Sequence, residues 1–179
     1  MNLQTQYKKE ILPQLMKDLA CGNINEVPKI VKIVINVGFG KTAKEKAYID
    51  NVVSTLERIS GQKAVLTKAK KSIASFKVRE GMIIGSMVTL RGARMWDFLE
   101  KLIKVVFSNI KDFRGVSPDI LDNKGNLTVG FREHVIFPEI RHDEIDKIHG
   151  LEVSINTTAK DKAAGLALFT LLGFPFKKS

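Results

Sequence analysis

The sequence predicts an α+β protein: a largely antiparallel sheet of about five strands with helices on one face and an open polar second face. Short stretches alternate between apolar and polar residues, as strands with one buried face do. Longer stretches repeat apolar residues every three or four positions, as amphipathic helices do. The polar second faces of the strands indicate a sheet that is covered on one side only. Along the chain these stretches give the order α-β-α-β-β-α-β-β-α.

The beginning of the chain predicts one helix and one strand. Apolar residues recur every four positions over Leu3–Ala20, which predicts a helix that Pro13 interrupts and Gly22 ends. Ile30–Val37 alternates as a strand does. Its predicted buried face carries Val31, Ile33, Ile35 and Val37. Its other face carries Ile30, Lys32, Val34 and Asn36.

The middle of the chain predicts a second helix and two further strands. Lys44–Ile59 has an apolar stripe of helical spacing, and Ser60–Gly61 closes it. Lys63–Thr67 predicts a short strand. Ser86–Arg91 predicts another, with Val88 and Leu90 on one face and with Met87, Thr89 and Arg91 on the other.

The remainder predicts two helices around a second pair of strands. Ala93–Ile110 carries a strong apolar stripe and predicts a helix. Turn-forming residues fill Lys111–Asn126, which predicts a loop. Leu127–Arg132 and Leu151–Thr158 alternate as strands, and Asp161–Leu172 predicts the last helix.

The bulk composition indicates one folded domain. The chain has 179 residues, of which 44% are hydrophobic and 27% charged, which is enough apolar material for a buried core. No linker or composition shift divides it, so we predict a single domain over residues 1–179. The sequence contains no run of about 18 apolar residues, so no membrane span is predicted. The lone Cys21 and a polar N-terminus without a secretory signal fit a reducing cytoplasm.

A basic stretch from Thr67 to Gly92 dominates the charge pattern. It has one acid, Glu80, against six cations: Lys68, Lys70, Lys71, Lys77, Arg79 and Arg91. Its net charge of +5 is half of the chain's formal +10. A charge run is often only a solvated face, but such faces usually mix both signs. Clustered cations release counterions from phosphates, so the stretch and the pI near 9.7 favour a nucleic acid partner.

The polar face of the predicted sheet is a second candidate binding surface. Alternation places on it Lys32, Asn36, Thr89, Arg91, Ser154, Asn156 and Thr158. Such side chains bind phosphates, sugar hydroxyls and base edges, although many antiparallel sheets have one solvent-exposed face that binds no partner. The adjacent basic stretch favours RNA. Trp96 and the phenylalanines have core spacing, so this face lacks stacking aromatics, and contacts to RNA backbone and 2′-hydroxyls are expected.

One motif resembles a phosphate-binding loop. Gly40-Lys41-Thr42 stands between a predicted strand and a predicted helix. The full motif requires a glycine five residues earlier, and that position is Ile35. Glycines that allow a tight turn explain the motif better, and a nucleotide-dependent enzyme stays as the alternative hypothesis.

We predict no metal and no cofactor, and the spacing of the histidines and acidic residues singles out no catalytic residue. The spacing of His134, His142 and His149 is too irregular for a metal site, so surface or interface positions are predicted for them. A mildly acidic region comprises Glu133, Glu139, Asp143, Glu144 and Asp146. It leaves a catalytic carboxylate pair open but favours a protein contact, because no spacing singles out a pair.

Short motifs in a fixed order along essentially the whole chain resemble one known family. They include Asn36-Val37-Gly38-Phe39-Gly40, Thr67-Lys68-Ala69-Lys70-Lys71-Ser72, Phe76-Lys77-Val78-Arg79-Glu80-Gly81, Val88-Thr89-Leu90-Arg91-Gly92, Asp112-Phe113-Arg114-Gly115 and Phe137-Pro138-Glu139-Ile140. The chain thereby resembles the bacterial ribosomal protein L5 family, whose members bind 5S ribosomal RNA. The resemblance implies a non-enzymatic constituent of the large subunit in the cytoplasm that also contacts large-subunit ribosomal RNA. A free-standing RNA regulator is the remaining alternative.

The resemblance also implies a set of residues that bind 5S RNA. The matching Asn36, Gln62 and Thr89 are implied to hydrogen-bond it. Alternation independently places Asn36 and Thr89 on the open face, whereas Gln62 rests on the resemblance alone. Lys32 and Arg91 do not come from the resemblance; they are predicted to bind 5S RNA because alternation places them on the same open face.

Two further partners follow from the resemblance. The basic loop, at about Lys70–Gly85, is implied to contact peptidyl-site tRNA. Its candidate contact residues are Lys70, Lys71, Ser72, Lys77 and Arg79. A protein of the small-subunit head is implied to meet the region between Asp112 and Asp146.

Overall fold

A computed structural model describes residues 2–42, 45–140 and 147–177. The predicted helix start at Lys44 lies outside the described residues, as do His142, three acids of the acidic region and the side chain of Lys41. Those acids are Asp143, Glu144 and Asp146. Of the helices in the described ranges, none has the length and apolar character that a membrane crossing requires.

The strands form one five-stranded antiparallel sheet, which confirms the predicted α+β class. In chain order they are β1 (Ile30–Gly38), β2 (Val65–Lys68), β3 (Ile83–Leu90), β4 (Leu127–Phe131) and β5 (Leu151–Thr157). Their order across the sheet is β2-β3-β1-β5-β4. Each strand that the sequence predicts is present within a few residues of its expected bounds.

Four helices accompany the sheet in the described residues. Helix α1 comprises Leu3–Gln6, a π-helical turn at Tyr7–Ile11 and Leu12–Asp18. Helix α2 is Lys46–Ser60, and α4 is Lys162–Leu171. Helix α3 begins as Gly92–Lys101 and continues through a π-helical turn at Leu102–Val106 into a 3-10 turn at Phe107–Asn109.

The interruption predicted at Pro13 takes the form of a widened turn. The N–H of Leu12 donates to the carbonyl of Tyr7, five residues back, so the chain is π-helical just before the proline. A proline lacks an N–H and crowds the carbonyl four residues before it. Widening the preceding turn lets α1 continue past Pro13 to Asp18.

The chain leaves helix α1 at Ala20 rather than at the predicted Gly22. The N–H of Cys21 donates to the carbonyl of Met16 at 3.0 Å, and that of Ala20 donates to the carbonyl of Lys17 at 3.2 Å. These two bonds are the Schellman pattern, which requires a left-handed residue that is usually glycine. Here it is Ala20, with φ of +48°. The prediction of Gly22 was wrong because the capping bonds, and not the nearest glycine, decide where the helix ends.

The alternation of β1 also differs from prediction at its first residues. Ile30 is only 6% exposed whereas Val31 is 44% exposed, the reverse of the predicted faces. From Ile33 onward the predicted pattern holds, with Ile33, Ile35 and Val37 buried. Asn36, the polar residue of greatest interest for binding, lies in this regular part of the strand.

The described chain groups into two compact units. The first comprises Met1–Ile33, Leu90–Val129 and Ser154–Ser179. In it the ring of Tyr7 packs 5.2 Å from that of Trp96, and the Tyr7 hydroxyl donates to the carbonyl of Pro28 at 2.9 Å. Trp96 is therefore a core residue, as predicted.

The second unit comprises Val34–Thr89 and Gly130–Val153. Its core contains a stacked pair of histidines, whose ring centroids are 4.0 Å apart and whose planes differ by 4°. His134 is 3% exposed and His149 5%, so the prediction of surface histidines was wrong for both. The N–H of His149 donates to Nδ1 of His134 at 3.2 Å, and the ring of Tyr48 packs edge-on against His149. These long-range contacts hold the two rings inside the unit.

Burial keeps this histidine pair neutral. Burial, followed by the proximity of His134, lowers the pKa of His149 from 6.5 to about 4. Burial also lowers the pKa of His134, against the opposing effect of its bond to His149. The unfolded chain therefore takes up a proton at a higher pH than the folded chain does, so folding weakens as the pH falls from about 6.5 to about 4.

We expect His149→Phe to remove most of this acid sensitivity, because a phenyl ring can pack against Tyr48 without a titratable nitrogen. The native protein should lose up to roughly 3 kcal/mol of unfolding free energy between pH 7 and pH 4 through His149. Urea unfolding of both proteins at a series of pH values measures the difference. Parallel pH profiles for the two proteins would contradict the assignment.

We expect Ala20→Gly to stabilise the protein by about 1 kcal/mol, because glycine adopts the left-handed conformation without the Cβ penalty. Ala163→Gly is the matched control, since Ala163 is exposed in the first turn of α4 and should favour alanine. Urea unfolding midpoints compare the three proteins. A lower midpoint for Ala20→Gly would show that this helix end relaxes in another way.

Candidate nucleic-acid interface

Two strand residues of the second unit present polar side chains outward. Asn36 is exposed, whereas its neighbours Ile35 and Val37 are buried. Thr89 is half-buried between Val88 and Leu90, which are buried almost completely. Because successive side chains of a strand point to opposite faces, Asn36 and Thr89 lie on the face away from the core.

Gln62 is fixed beside Thr89 by a hydrogen bond. Its Nε2 donates to the backbone carbonyl of Thr89 at 3.1 Å. Gln62 follows the end of α2, where Gly61 adopts φ of +63° and turns the chain toward β2. The structure thus brings Gln62 and Thr89 together, although no periodic pattern in the sequence marks Gln62 as part of this surface.

Lys32 and Arg91 belong to the first unit. Lys32 is half-buried in β1, and Arg91 is exposed in extended backbone directly before α3. Within the described part of the chain, neither side chain forms an ion pair or a hydrogen bond. Their charges are therefore available for an external anion.

Some of the remaining polar residues near the predicted open face already form hydrogen bonds within the protein. Thr128 and Ser154 bond to each other through their hydroxyl oxygens at 3.1 Å. The hydroxyl of Thr158 accepts from the N–H of Lys29 at 3.1 Å, which ties the entrance of β1 to the exit of β5. The hydroxyl of Thr158 therefore serves the fold, contrary to the expectation that it would be free for a ligand.

The basic loop is a hairpin that extends from the pair of strands β2 and β3. These strands are antiparallel, and their register shifts between Thr67 and Lys68. At the base of the loop, the N–H of Ala69 donates to the carbonyl of Met82 at 2.8 Å. The N–H of Gly81 donates back to the carbonyl of Ala69 at 3.0 Å. The backbone alone closes this base.

A second closure lies further out along the same hairpin. Ile73 and Val78 exchange two backbone hydrogen bonds, of 2.9 and 3.2 Å. Between the two closures, the hydroxyl of Ser72 accepts from the N–H of Glu80 at 2.9 Å. Ser72, predicted to contact RNA, therefore also helps to shape the hairpin.

The cations of the hairpin are all exposed. They are Lys70, Lys71, Lys77 and Arg79, and in the described residues none of them forms an ion pair. Lys77 has φ of +53°, and its N–H donates to the carbonyl of Ala74 at 3.0 Å. The hairpin therefore holds four exposed charges on a hydrogen-bonded backbone, a suitable arrangement for phosphate contacts.

Phe76 lies at the end of this hairpin and is 75% exposed. The prediction that the phenylalanines are core residues was wrong at this position. The sequence carried a signal that could have found it, because Phe76 lies in a loop that is mostly small and charged residues, with only Ile73 and Val78 as other large apolar residues nearby.

The glycine motif that resembles a phosphate-binding loop forms a tight turn. Gly40 has φ of +53°, and the Thr42 hydroxyl donates to the carbonyl of Phe39 at 2.7 Å. This bond engages the hydroxyl that a nucleotide site would direct at a metal ion. Among the described residues, no group of three or more His, Cys, Asp or Glu side chains is arranged to hold a metal.

Comparisons with known proteins match both parts of the chain. A family model described as "Ribosomal protein L5" matches residues 23–79, and a second model, which describes the C-terminus of the same ribosomal family, matches residues 83–176. Proteins named "Large ribosomal subunit protein uL5" are similar over nearly the whole chain. That of Prochlorococcus marinus (strain MIT 9211) is 49% identical over 179 residues, covering 100% of both chains. Those of Halothermothrix orenii and Marinomonas sp. (strain MWYL1) are 49% and 45% identical over 176 residues, covering 98% of each chain. The chain therefore belongs to the ribosomal protein L5 family.

Proposed function

We propose that this member of the L5 family, a non-enzymatic structural constituent of the large ribosomal subunit, holds 5S ribosomal RNA in the cytoplasmic ribosome. The observation that carries the proposal is the outward Asn36, held between the buried Ile35 and Val37. A strand whose other face is anchored in a core presents such an amide in a fixed position. Fixed donors and acceptors are what recognition of one folded RNA requires.

The three central residues offer complementary hydrogen-bonding groups. The amide of Asn36 both donates and accepts, and the hydroxyl of Thr89 does the same. Gln62 donates one hydrogen to the carbonyl of Thr89, which orients the rest of its amide. RNA presents 2′-hydroxyls, phosphate oxygens and base edges to such groups. Lys32 and Arg91 add phosphate contacts that strengthen binding without reading sequence.

The basic hairpin has a second role in this proposal, which is contact with peptidyl-site tRNA. Its four exposed cations and its hydrogen-bonded backbone support that role. Large-subunit ribosomal RNA is a further polyanionic partner of the basic chain. A protein of the small-subunit head is proposed to meet the region between Asp112 and Asp146, of which residues 141–146 lie outside the described ranges.

We expect Asn36→Ala and Thr89→Val each to weaken 5S RNA binding by about 1–2 kcal/mol, or roughly 5- to 30-fold in Kd. Each change removes one hydrogen-bonding side chain from an outward position and leaves the core intact. Filter binding at fixed salt measures the affinity, and Asn123→Ala, at an exposed turn, is the matched control. Native affinity in both variants would refute this site.

We expect a fourfold alanine variant of the hairpin cations to spare 5S RNA binding and to speed tRNA dissociation from ribosomes. The variant replaces Lys70, Lys71, Lys77 and Arg79. Removing phosphate contacts should also flatten the salt dependence of that dissociation. The control variant removes four exposed lysines elsewhere, namely Lys8, Lys9, Lys17 and Lys124. A native tRNA dissociation rate in the hairpin variant would remove the role assigned to the loop.

A further inference from the structure

Phe76 is the most exposed of the large hydrophobic side chains in the described ranges. It lies in the four-residue tip Ala74–Lys77, outside the backbone bonds that join Ile73 and Val78. The other nine phenylalanines of the chain are all buried or half-buried. Phe76 therefore contributes nothing to a core, and its large apolar surface stays in contact with water until a partner covers it.

The surroundings of Phe76 indicate which kind of partner covers it. Four exposed cations share the hairpin, whereas its one acid is Glu80. An aromatic ring among outward cations suits RNA, because the cations contact phosphates while the ring stacks on a base. The open sheet face differs in this respect, since Asn36 and Thr89 offer hydrogen bonds and no aromatic surface.

The neighbours of the ring argue against a membrane or a protein groove as the partner. Either of those would bury a contiguous apolar patch. At the tip, however, the residues before Phe76 are Ala74 and Ser75, and the residue after it is Lys77. The nearest large apolar residue before the ring is Ile73 at the backbone closure, which is 46% exposed against 75% for Phe76, so the ring provides most of the exposed apolar surface there. Small neighbours leave a single flat ring open to approach, which is the shape that a nucleobase requires.

We propose that Phe76 is a base-stacking platform, on which an unpaired or terminal base of tRNA rests while the hairpin cations hold the adjacent phosphates. This inference rests on the proposed role of the hairpin in tRNA contact. It adds an apolar, salt-insensitive component to a contact that charge alone would make strongly salt-dependent. The backbone bonds between Ile73 and Val78 place the ring in the four-residue tip beyond this closure.

The test compares ribosomes that carry Phe76→Leu, Phe76→Trp or the native chain, with deacylated initiator tRNA as the probe. Stacking on an aromatic side chain contributes enough that its loss in Phe76→Leu should speed dissociation roughly 5- to 100-fold. Phe76→Trp should retain the native rate, and Ser75→Ala is the matched control at the tip. The salt dependence of dissociation should stay native in Phe76→Leu, since no phosphate contact is lost.

A spectroscopic readout detects stacking directly. In a Trp96→Phe background, Phe76→Trp places the single tryptophan of the chain at the tip. Stacking on a base should quench its fluorescence when tRNA binds. Unchanged fluorescence on tRNA binding would overturn the proposal.

The outcomes separate base stacking from the tRNA contact on which it rests. A native rate in Phe76→Leu, together with fast dissociation in the fourfold cation variant, overturns stacking and leaves the tRNA contact standing. Native rates in both variants overturn both. A third outcome would assign the ring to a lipid surface. In it, the native protein sediments with phosphatidylglycerol vesicles, Phe76→Leu does not, and the tRNA dissociation rate of Phe76→Leu is native; this would overturn stacking.

Discussion

The pleat of β1 and β3 is the constraint on which the candidate interface depends. Ile35 and Val37 point into the core of the second unit, and that burial forces Asn36 outward. A slip of one residue would bury the Asn36 amide without partners and expose both apolar neighbours. Core packing therefore fixes the position of a binding group, and the same alternation holds at Thr89 on β3.

The protein presents two surfaces of different physical character. Asn36, Gln62 and Thr89 are held by regular structure, and the bond from Gln62 to the carbonyl of Thr89 joins a helix end to a strand. The hairpin is held by two sets of backbone bonds and directs its charges outward. The first surface suits selective recognition by hydrogen bonds, and the second suits attraction to phosphates over a longer range.

Much of this arrangement is predictable from the sequence because it follows from periodicity. The strand alternation predicts the sheet and the outward positions of Asn36 and Thr89. Gln62 cannot be found in that way, since its position depends on the left-handed turn at Gly61. Its place in the set came from family resemblance, and the structure adds the bond that orients it.

The failed predictions depend on contacts between distant or irregular segments. His134 and His149 were expected at the surface, but they stack on each other across a long separation in sequence. Phe76 was assigned to the core by its spacing, but it lies at the tip of a hairpin, beyond the backbone bonds that join Ile73 and Val78, where no core is within reach.

The two closures of the hairpin are made by the main chain, and this has an evolutionary consequence. Side chains at the tip contribute little to folding stability. Selection on substitutions there should therefore act mainly through binding to the partner. Sequence variation at these positions should therefore follow changes in the partner. For the same reason, labels or substitutions introduced at the tip should have little effect on the stability of the fold.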